Sequence, residues 1–588
     1  MTRRGNETAN YRPLSPCGLD VGQPKTWVVE LEGARKAALE TGRTRLIVSA
    51  LVFAMAFVVI GLRLVDLTLL QSDASAQIAT VAPVNTDWRS GRADIVDRNG
   101  TVLATTLPTN AVYANPRQIR NPDEVANRLA GALKGVDAER LKSGLSSDRS
   151  FTWVRRCLSP RETDAVNRLG IPGVYLQHDE CRYHPHDELF SHVIGYTDID
   201  GRGIAGMEKA FEERLRGGRK PLELSLDMRL QHIMAEELEA AMTEFSGIGA
   251  SGLIMDVDTG EILSMVSLPS FDPDRPGAAS DEARFNRATL GVYEVGSVFK
   301  IFSTAAALDS GAVSLEDGYD VSKPIRISRF TINDFKPKNR WLSIPEIFLH
   351  SSNIGTVHMA MEAGTQAVQN YFGDFGFLER SSLELPETGS PILPAKWREI
   401  NTMTISYGHG LAVTPVQVVS ALSAMVNGGE LLKPTLVKRK PGERAVGERV
   451  ISEQTSAQMR WLMRLVVSEG TGRNAEAPGY AVGGKTGTAD KLKASGGYAR
   501  NNRIASFAGA FPMDDPQYAI FAMVDEPKPT EESYGYATAG WVVAPAIGKI
   551  VQRMAPVMGI EPRAMPDKVG PDPLFVPVHL KGRSVASQ

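Results

Sequence analysis

Three short patterns in this chain could do chemistry together. Ser297-Val298-Phe299-Lys300, Ser351-Ser352-Asn353 and Lys485-Thr486-Gly487 follow one another in that order, and each pattern occurs once in 588 residues. A serine hydroxyl is a weak nucleophile until a base takes its proton, and Lys300 sits one helical turn beyond Ser297 on the same face. Among Phe299, Phe302 and several alanines its ammonium is disfavoured by desolvation, which leaves a neutral amine to act as base. Ser351 can relay a proton between lysine, nucleophile and leaving amine, and the Asn353 amide can bind a substrate carbonyl. Lys485 with the hydroxyls of Thr486 and Thr488 makes a carboxylate-binding set. Gly487 keeps the strand slim between those hydroxyls, and the backbone N–H groups of Ser297 and Thr488 can pair as an oxyanion hole. The sum is an acyl-transfer site with no metal and no cofactor.

None of the patterns suffices alone. One Ser-x-x-Lys is expected by chance in a chain this long, and a serine and an asparagine in a loop more often cap or turn the backbone. A Lys-Thr-Gly on an edge strand can merely discourage aggregation. The elements around them add weight. Val298 to Leu308 is apolar on nearly every face, the mark of a helix buried in a core. Ser351 and Asn353 fall between two helical stretches, Ile344 to His350 and Ile354 to Glu362, so both can project from a loop. Ala481-Val482-Gly483-Gly484 reads as a strand with glycines where a ligand backbone must come close.

Around this site the sequence predicts a strand at 222–226, Asp227 capping a helix over 228–241, and a hairpin of 251–256 and 262–267 about Thr259-Gly260. Thr414, Pro415 and Gln417 form a capping box that opens a helix ending at Val426, before Asn427-Gly428. Strands at 503–510 and 518–524 precede a last helix over 542–554. Helices enclosed between sheet-forming ends of one segment predict an α+β domain with a central antiparallel sheet over residues 221–557, followed by a loose tail at 558–588.

Upstream, residues 67–220 read as a β-rich module. It opens on a hairpin about Asn99-Gly100 and includes a helix near Pro122 to Leu133, strands at 151–154 and 173–177, and the glycine-rich turn Gly201 to Glu208 with a helix to Leu215. That turn lacks the Gly-Lys-Ser/Thr ending of a phosphate loop. Leu46 to Leu62 has no charged residue, and within 45–66 the following Arg63 can snorkel, so a single membrane helix is expected. A cleaved signal is the alternative, with Ala74-Ser75-Ala76 as its site. Arg35, Lys36, Arg43 and Arg45 put the polar tail, residues 1–44, with its short helix at 28–39, in the cytoplasm and the rest outside. Cys157 and Cys181 would then share an oxidising compartment, and sequence leaves open whether they pair. A net charge of −3 and a pI near 6.4, with no basic block, argue against nucleic acid as partner.

With these residues in view the chain resembles the penicillin-binding proteins, and from about 45 to 555 their class B, monofunctional branch. The upstream likeness rests on Arg89, Gly91, Asp97-Arg98-Asn99-Gly100, Arg182-Tyr183 with Pro185, Gly203, Gly206 and Glu208. Asn353, Val413-Thr414-Pro415, Asp525-Glu526-Pro527 and Ala544-Pro545 resemble the division-specific type. Val295 departs from the proline many relatives carry before Gly-Ser, which touches a turn and no reacting group. The resemblance implies a peptidoglycan D,D-transpeptidase of the bacterial inner membrane, with its catalytic part in the periplasm at the division site. Its substrate would be a stem peptide ending in D-Ala-D-Ala, and β-lactam antibiotics would acylate Ser297. Its partners would be a SEDS-family glycosyltransferase of the FtsW type and other division proteins. A D,D-carboxypeptidase, a β-lactamase, and a silent β-lactam sensor or scaffold are the competing readings.

Overall fold

The computed structural model describes residues 47–62 and 91–563, apart from 328–329, 441, 444 and 493–496. The expected tail over 1–44 and the expected helix at 28–39, together with Cys17, Arg89 and the end of the chain, fall outside those residues. Contacts divide the chain into two units, 1–89 and 90–588. In the first, residues 47–62 are helical, and their apolar side chains, Phe53, Met55 and Phe57 among them, are exposed. No helix among the described residues is long and apolar enough to cross a membrane.

The second unit opens with β1 (Ile95–Val96) and β2 (Val102–Ala114), joined antiparallel by the predicted Asn99-Gly100 turn. Asp97 makes that turn: its Oδ1 accepts from the N–H groups of Asn99 and Thr101, and Gly100 takes φ +86°, which a side chain would resist. Asp97 Oδ2 also accepts from Met228 N–H at 3.2 Å, so the hairpin tip caps the first helix of the downstream part. β2 runs well past Leu103, where the local pattern ends, because β4 (Val174–Tyr183) pairs with it from Thr105 to Ala114 and β3 (Thr152–Leu158) from Asn110 to Ala114. Helices α1 (Pro122–Ala132), α2 (Ala138–Leu145) and α3 (Pro160–Leu169) bury Leu129, Leu145 and Val166 against Val112 and Ala114. Cys157 and Cys181 are joined by a disulfide, with Cα atoms 5.7 Å apart. In the glycine-rich segment, a Cβ on Gly203 would collide with the Glu208 carbonyl, as the sequence reading of close approach requires. Glu208 is wholly buried and holds Arg92 and Arg182, the latter at 2.7 Å.

Next come β5 (Leu222–Glu223), parallel to β1, and α4 (Met228–Glu244), whose cap Asp227 accepts from Arg229 N–H. The central sheet is five-stranded, antiparallel throughout, in the order β14-β15-β16-β6-β7. Its members are β6 (Gly249–Asp256), β7 (Ile262–Leu268), β14 (Gly483–Leu492), β15 (Tyr498–Phe511) and β16 (Tyr518–Asp525). β16 is buried on both faces, and the two-residue period sorts its side chains. Ile520, Ala522 and Val524 face a core shared with α4 and α10 (Ala544–Val557), whereas Ala519, Phe521 and Met523 face the core that holds α5 (Lys300–Asp309) and α8 (Pro415–Val426). The expected capping box is present: Gln417 N–H donates to Thr414 Oγ1, and Thr414 N–H donates to Gln417 Oε1.

Three small two-stranded pieces complete the fold. β8 (Gly318–Asp320) pairs with β11 (Trp341–Ser343), β9 (Ile325–Ile327) with β10 (Phe330–Ile332), and β12 (Glu430–Leu432) with β13 (Gly447–Arg449). Between them run α6 (Ile344–His350), α7 (Asn353–Ala363) and, further on, α9 (Glu453–Glu469).

Candidate active site

The backbone around Ser297 is set by glycines. Gly296 takes φ +55°, and a Cβ on it would lie 2.7 Å from the Thr488 carbonyl oxygen; a Cβ on Gly487 would run into the Val295 carbonyl, and one on Gly408 into that of Gly296. Bare backbones at Gly296 and Gly487 therefore let the serine turn pack on β14, the edge strand of the sheet, and Gly408 packs on Gly296. Residues Gly296–Phe299 form a 3₁₀ turn and α5 begins only at Lys300, so the continuous helix expected from Val298 starts as a tighter coil. Ser297 is partly exposed at the head of this otherwise buried segment. Val295, the departure noted above, is buried and forms part of the turn.

Lys300 is fully buried. Its Nζ lies 2.6 Å from Ser351 O, 3.1 Å from Ser351 Oγ and 2.7 Å from Asn353 Oδ1. If the Ser351 hydroxyl turns to donate, two N–H bonds and one accepted O–H satisfy a neutral amine as fully as three donated bonds satisfy an ammonium. Burial drives the Lys300 ammonium far below its ordinary range, the charge of Lys485 pushes the same way, and Asp334 opposes them. No hydrogen bond among the described residues joins Ser297 Oγ to Lys300.

Ser351 and Asn353 reach Lys300 because a helix ends and another begins between them. Ser351 caps the C-terminus of α6 with φ +59°, a left-handed turn unusual for serine, and thereby turns its carbonyl inward. Ser352 caps α7, accepting from Gly355 N–H at 3.0 Å. Asn353 is the first residue of that helix, not part of a loop as the sequence suggested.

Lys485, Thr486, Gly487 and Thr488 lie in succession on β14. Lys485 is fully buried, its Nζ donates, among the described residues, only a long bond of 3.4 Å to Thr486 O, and burial pulls its ammonium down to about 7. Thr486 Oγ1 lies 2.7 Å from Thr471 Oγ1, and Thr488 Oγ1 accepts from Ala539 N–H at 3.3 Å. A buried ammonium so poorly matched is costly, and a carboxylate beside it would offset that cost.

Family models match both halves of this arrangement. The penicillin-binding protein transpeptidase domain matches residues 250–548, and the penicillin-binding protein dimerisation domain matches residues 88–233. The chain is a class B penicillin-binding protein. This penicillin-binding protein is 39% identical to the "probable peptidoglycan D,D-transpeptidase FtsI" of Caulobacter vibrioides, over 80% of this chain and 82% of that one. It is 29% identical to the "peptidoglycan D,D-transpeptidase FtsI" of Escherichia coli, over 89% and 93%. A solved penicillin-binding protein 3 of Mycobacterium tuberculosis, complexed with ampicillin, shares the fold at a TM-score of 0.65 and 23% identity, over 81% of this chain and 97% of that one.

In this penicillin-binding protein Lys300, Ser351 and Asn353 are bonded directly, and the turn that carries Ser297 abuts β14, with Gly296 against Thr488. Sequence reasoning missed three contributors. Ser352 holds the turn, Thr471 partners Thr486, and the buried Glu294 accepts from Gly410 N–H at 2.9 Å and from Tyr498 OH at 3.1 Å beneath the serine turn, with His409 Nδ1 at 3.2 Å. The glycines about His409 were the available signal, and they mark a turn as readily as a site.

Proposed function

We propose that this chain is a serine D,D-transpeptidase that cross-links peptidoglycan stem peptides through an acyl-enzyme on Ser297 and is acylated there by β-lactams. The observation that carries the reading is the buried Lys300, held by Ser351 and Asn353 one turn beyond a partly exposed serine. Lys300 as neutral amine takes the Ser297 proton while the hydroxyl attacks the penultimate carbonyl of a D-Ala-D-Ala terminus. The N–H groups of Ser297 and Thr488 receive the oxyanion, and Ser351 passes the proton to the departing D-alanine amine. Lys485, Thr486 and Thr488 hold the terminal carboxylate, and Gly487 keeps the strand close. An amine of a neighbouring strand then takes the acyl group from Ser297.

The same reading takes 1–44 as cytoplasmic tail, 45–66 as a single inner-membrane span, 67–220 as periplasmic pedestal, 221–557 as transpeptidase domain and 558–588 as tail. Support for the span is the exposed apolar helix at 47–62. The reading extends to work at the division site beside a SEDS-family glycosyltransferase of the FtsW type, with likeness to relatives named FtsI as its support. The test is covalent labelling by a fluorescent penicillin, expected for the native chain and lost in Ser297→Ala; equal labelling of both overturns the assignment. Incubation with lipid-linked glycan and a polymerase should then yield dimeric cross-links, whereas trimmed monomers alone would favour a carboxypeptidase.

A further inference from the structure

The turn that presents Ser351 and Asn353 to Lys300 is gripped from a segment outside all three motifs. β9 and β10 pair only with each other among the described strands, and the two residues after β10 leave this hairpin for the turn between α6 and α7. Asp334 Oδ2 accepts from Ser352 Oγ at 2.7 Å, and its Oδ1 accepts from Ile354 N–H at 3.0 Å. Asn333 O accepts from Asn353 Nδ2 at 2.9 Å. The Asn353 amide is consequently fixed at both ends, Nδ2 on Asn333 and Oδ1 on Lys300 at 2.7 Å. Flipping it would set a donor against Lys300 and an acceptor against a carbonyl, losing both bonds at once.

We propose that Asp334 is a positioning residue for acyl transfer: through Ser352 and the first turn of α7 it holds the Asn353 amide and Ser351 on Lys300, and it supplies a negative charge that acts on that lysine. This inference rests on the reading of Ser297 as nucleophile and Lys300 as base. The charged groups acting on Lys300 come from two elements. Lys485 on β14 favours the neutral amine, and Asp334 alone opposes it, while α6 and α7 contribute only the uncharged Ser351 and Asn353. Removing the Asp334 charge makes Lys300 easier to deprotonate, so the rising limb of the acylation profile, where Lys300 loses its proton, moves to lower pH. Removing its hydrogen bonds loosens the amide and lowers the maximum rate. A residue that merely stabilised the fold would do the second without the first.

The experiment measures the second-order rate of acylation by a fluorescent penicillin from pH 4 to 9 on the full chain, for native protein, Asp334→Asn, Asp334→Glu and Ser352→Ala, with melting curves for each. Asp334→Asn is expected to shift the rising limb down by about one pH unit and to lower the maximum about tenfold. Asp334→Glu keeps the limb at its native pH with a lower maximum. Ser352→Ala, which removes one bond and leaves the charge, lowers the maximum about fivefold without moving the limb. A limb for Asp334→Asn that superimposes on the native one overturns the proposal. If that variant does not fold, a displaced limb in Asp334→Glu or a native maximum in Ser352→Ala overturns it. Labelling that survives in Ser297→Ala would strike the underlying reading instead, so the two failures stay distinct.

Discussion

Gly296→Ala probes how closely the serine turn must approach the edge strand. The new Cβ would sit 2.7 Å from the Thr488 carbonyl oxygen and 3.0 Å from its carbon, all of them backbone atoms that cannot swing aside. An ordinary carbon–oxygen contact is about 3.3 Å, so turn and strand must part by about 0.6 Å. That separation falls between the two N–H groups assigned to the oxyanion. Since a displacement of 1 Å costs on the order of 10²-fold in rate, this one is expected to slow acylation about tenfold. Alanine at φ +55° adds about 1 kcal/mol of backbone strain, to be read as a lower melting temperature. The assay is the second-order rate of fluorescent-penicillin labelling, with Gly131→Ala as control. Gly131 lies in α1, has open space where its Cβ would go, and should gain about 1 kcal/mol of helix stability with no change in rate. A folded Gly296→Ala protein that labels within twofold of the native rate would refute the claim that this contact sets the oxyanion geometry.

Two further outcomes follow from burial and cross-linking. Lys485 binds a carboxylate only as an ammonium, and burial brings that ammonium down to about 7; acylation of the free enzyme should therefore fall by up to tenfold per unit above about pH 7, completing a bell whose rising limb belongs to Lys300, and a flat profile from pH 6 to 9 would contradict it. Cys157→Ser opens the loop closed by the disulfide to Cys181 and should cost the upstream part about 3 kcal/mol in urea denaturation, while labelling of Ser297 stays within twofold; unchanged stability would mean the bridge constrains little.

What the sequence made legible was local or periodic. The Thr414-Pro415-Gln417 box, the Asp227 cap, the Asn99-Gly100 turn and the strand-length segments at 251–256 and 518–524 each carry their own physics within a few residues, and each element forms where expected. Lys300 meets Ser351 and Asn353 in hydrogen bonds, and Gly487 lies against the Val295 carbonyl of the serine turn. What stayed hidden depends on partners far along the chain. β2 reaches Ala114 only because β3 and β4, from beyond α1 and α2, pair with it. Asp334 grips Ser352 from a hairpin with no strong pattern, and Glu294 gathers Gly410, His409 and Tyr498 from segments that meet only in space. The helix at Ser297 opens as a 3₁₀ turn because Gly296 is pressed on Thr488, a constraint no local periodicity records.

The pairing of β1 with β5 bears on how the molecule carries force. Leu222 N–H and Leu224 N–H donate to Asp94 O and Val96 O at 2.9 and 2.8 Å, and Arg98 N–H donates to Leu226 O at 2.9 Å. The strands are parallel, so a pull entering at the start of β1 and leaving at the end of β5 acts at opposite ends of the ladder. Under such a load the three bonds share the stress and must fail together, where an antiparallel pair pulled from one end would unzip bond by bond. With Asp97 anchored on the first turn of α4, a load applied between the start of β1 and the end of β5 meets a shear joint that the N-terminus of α4 reinforces.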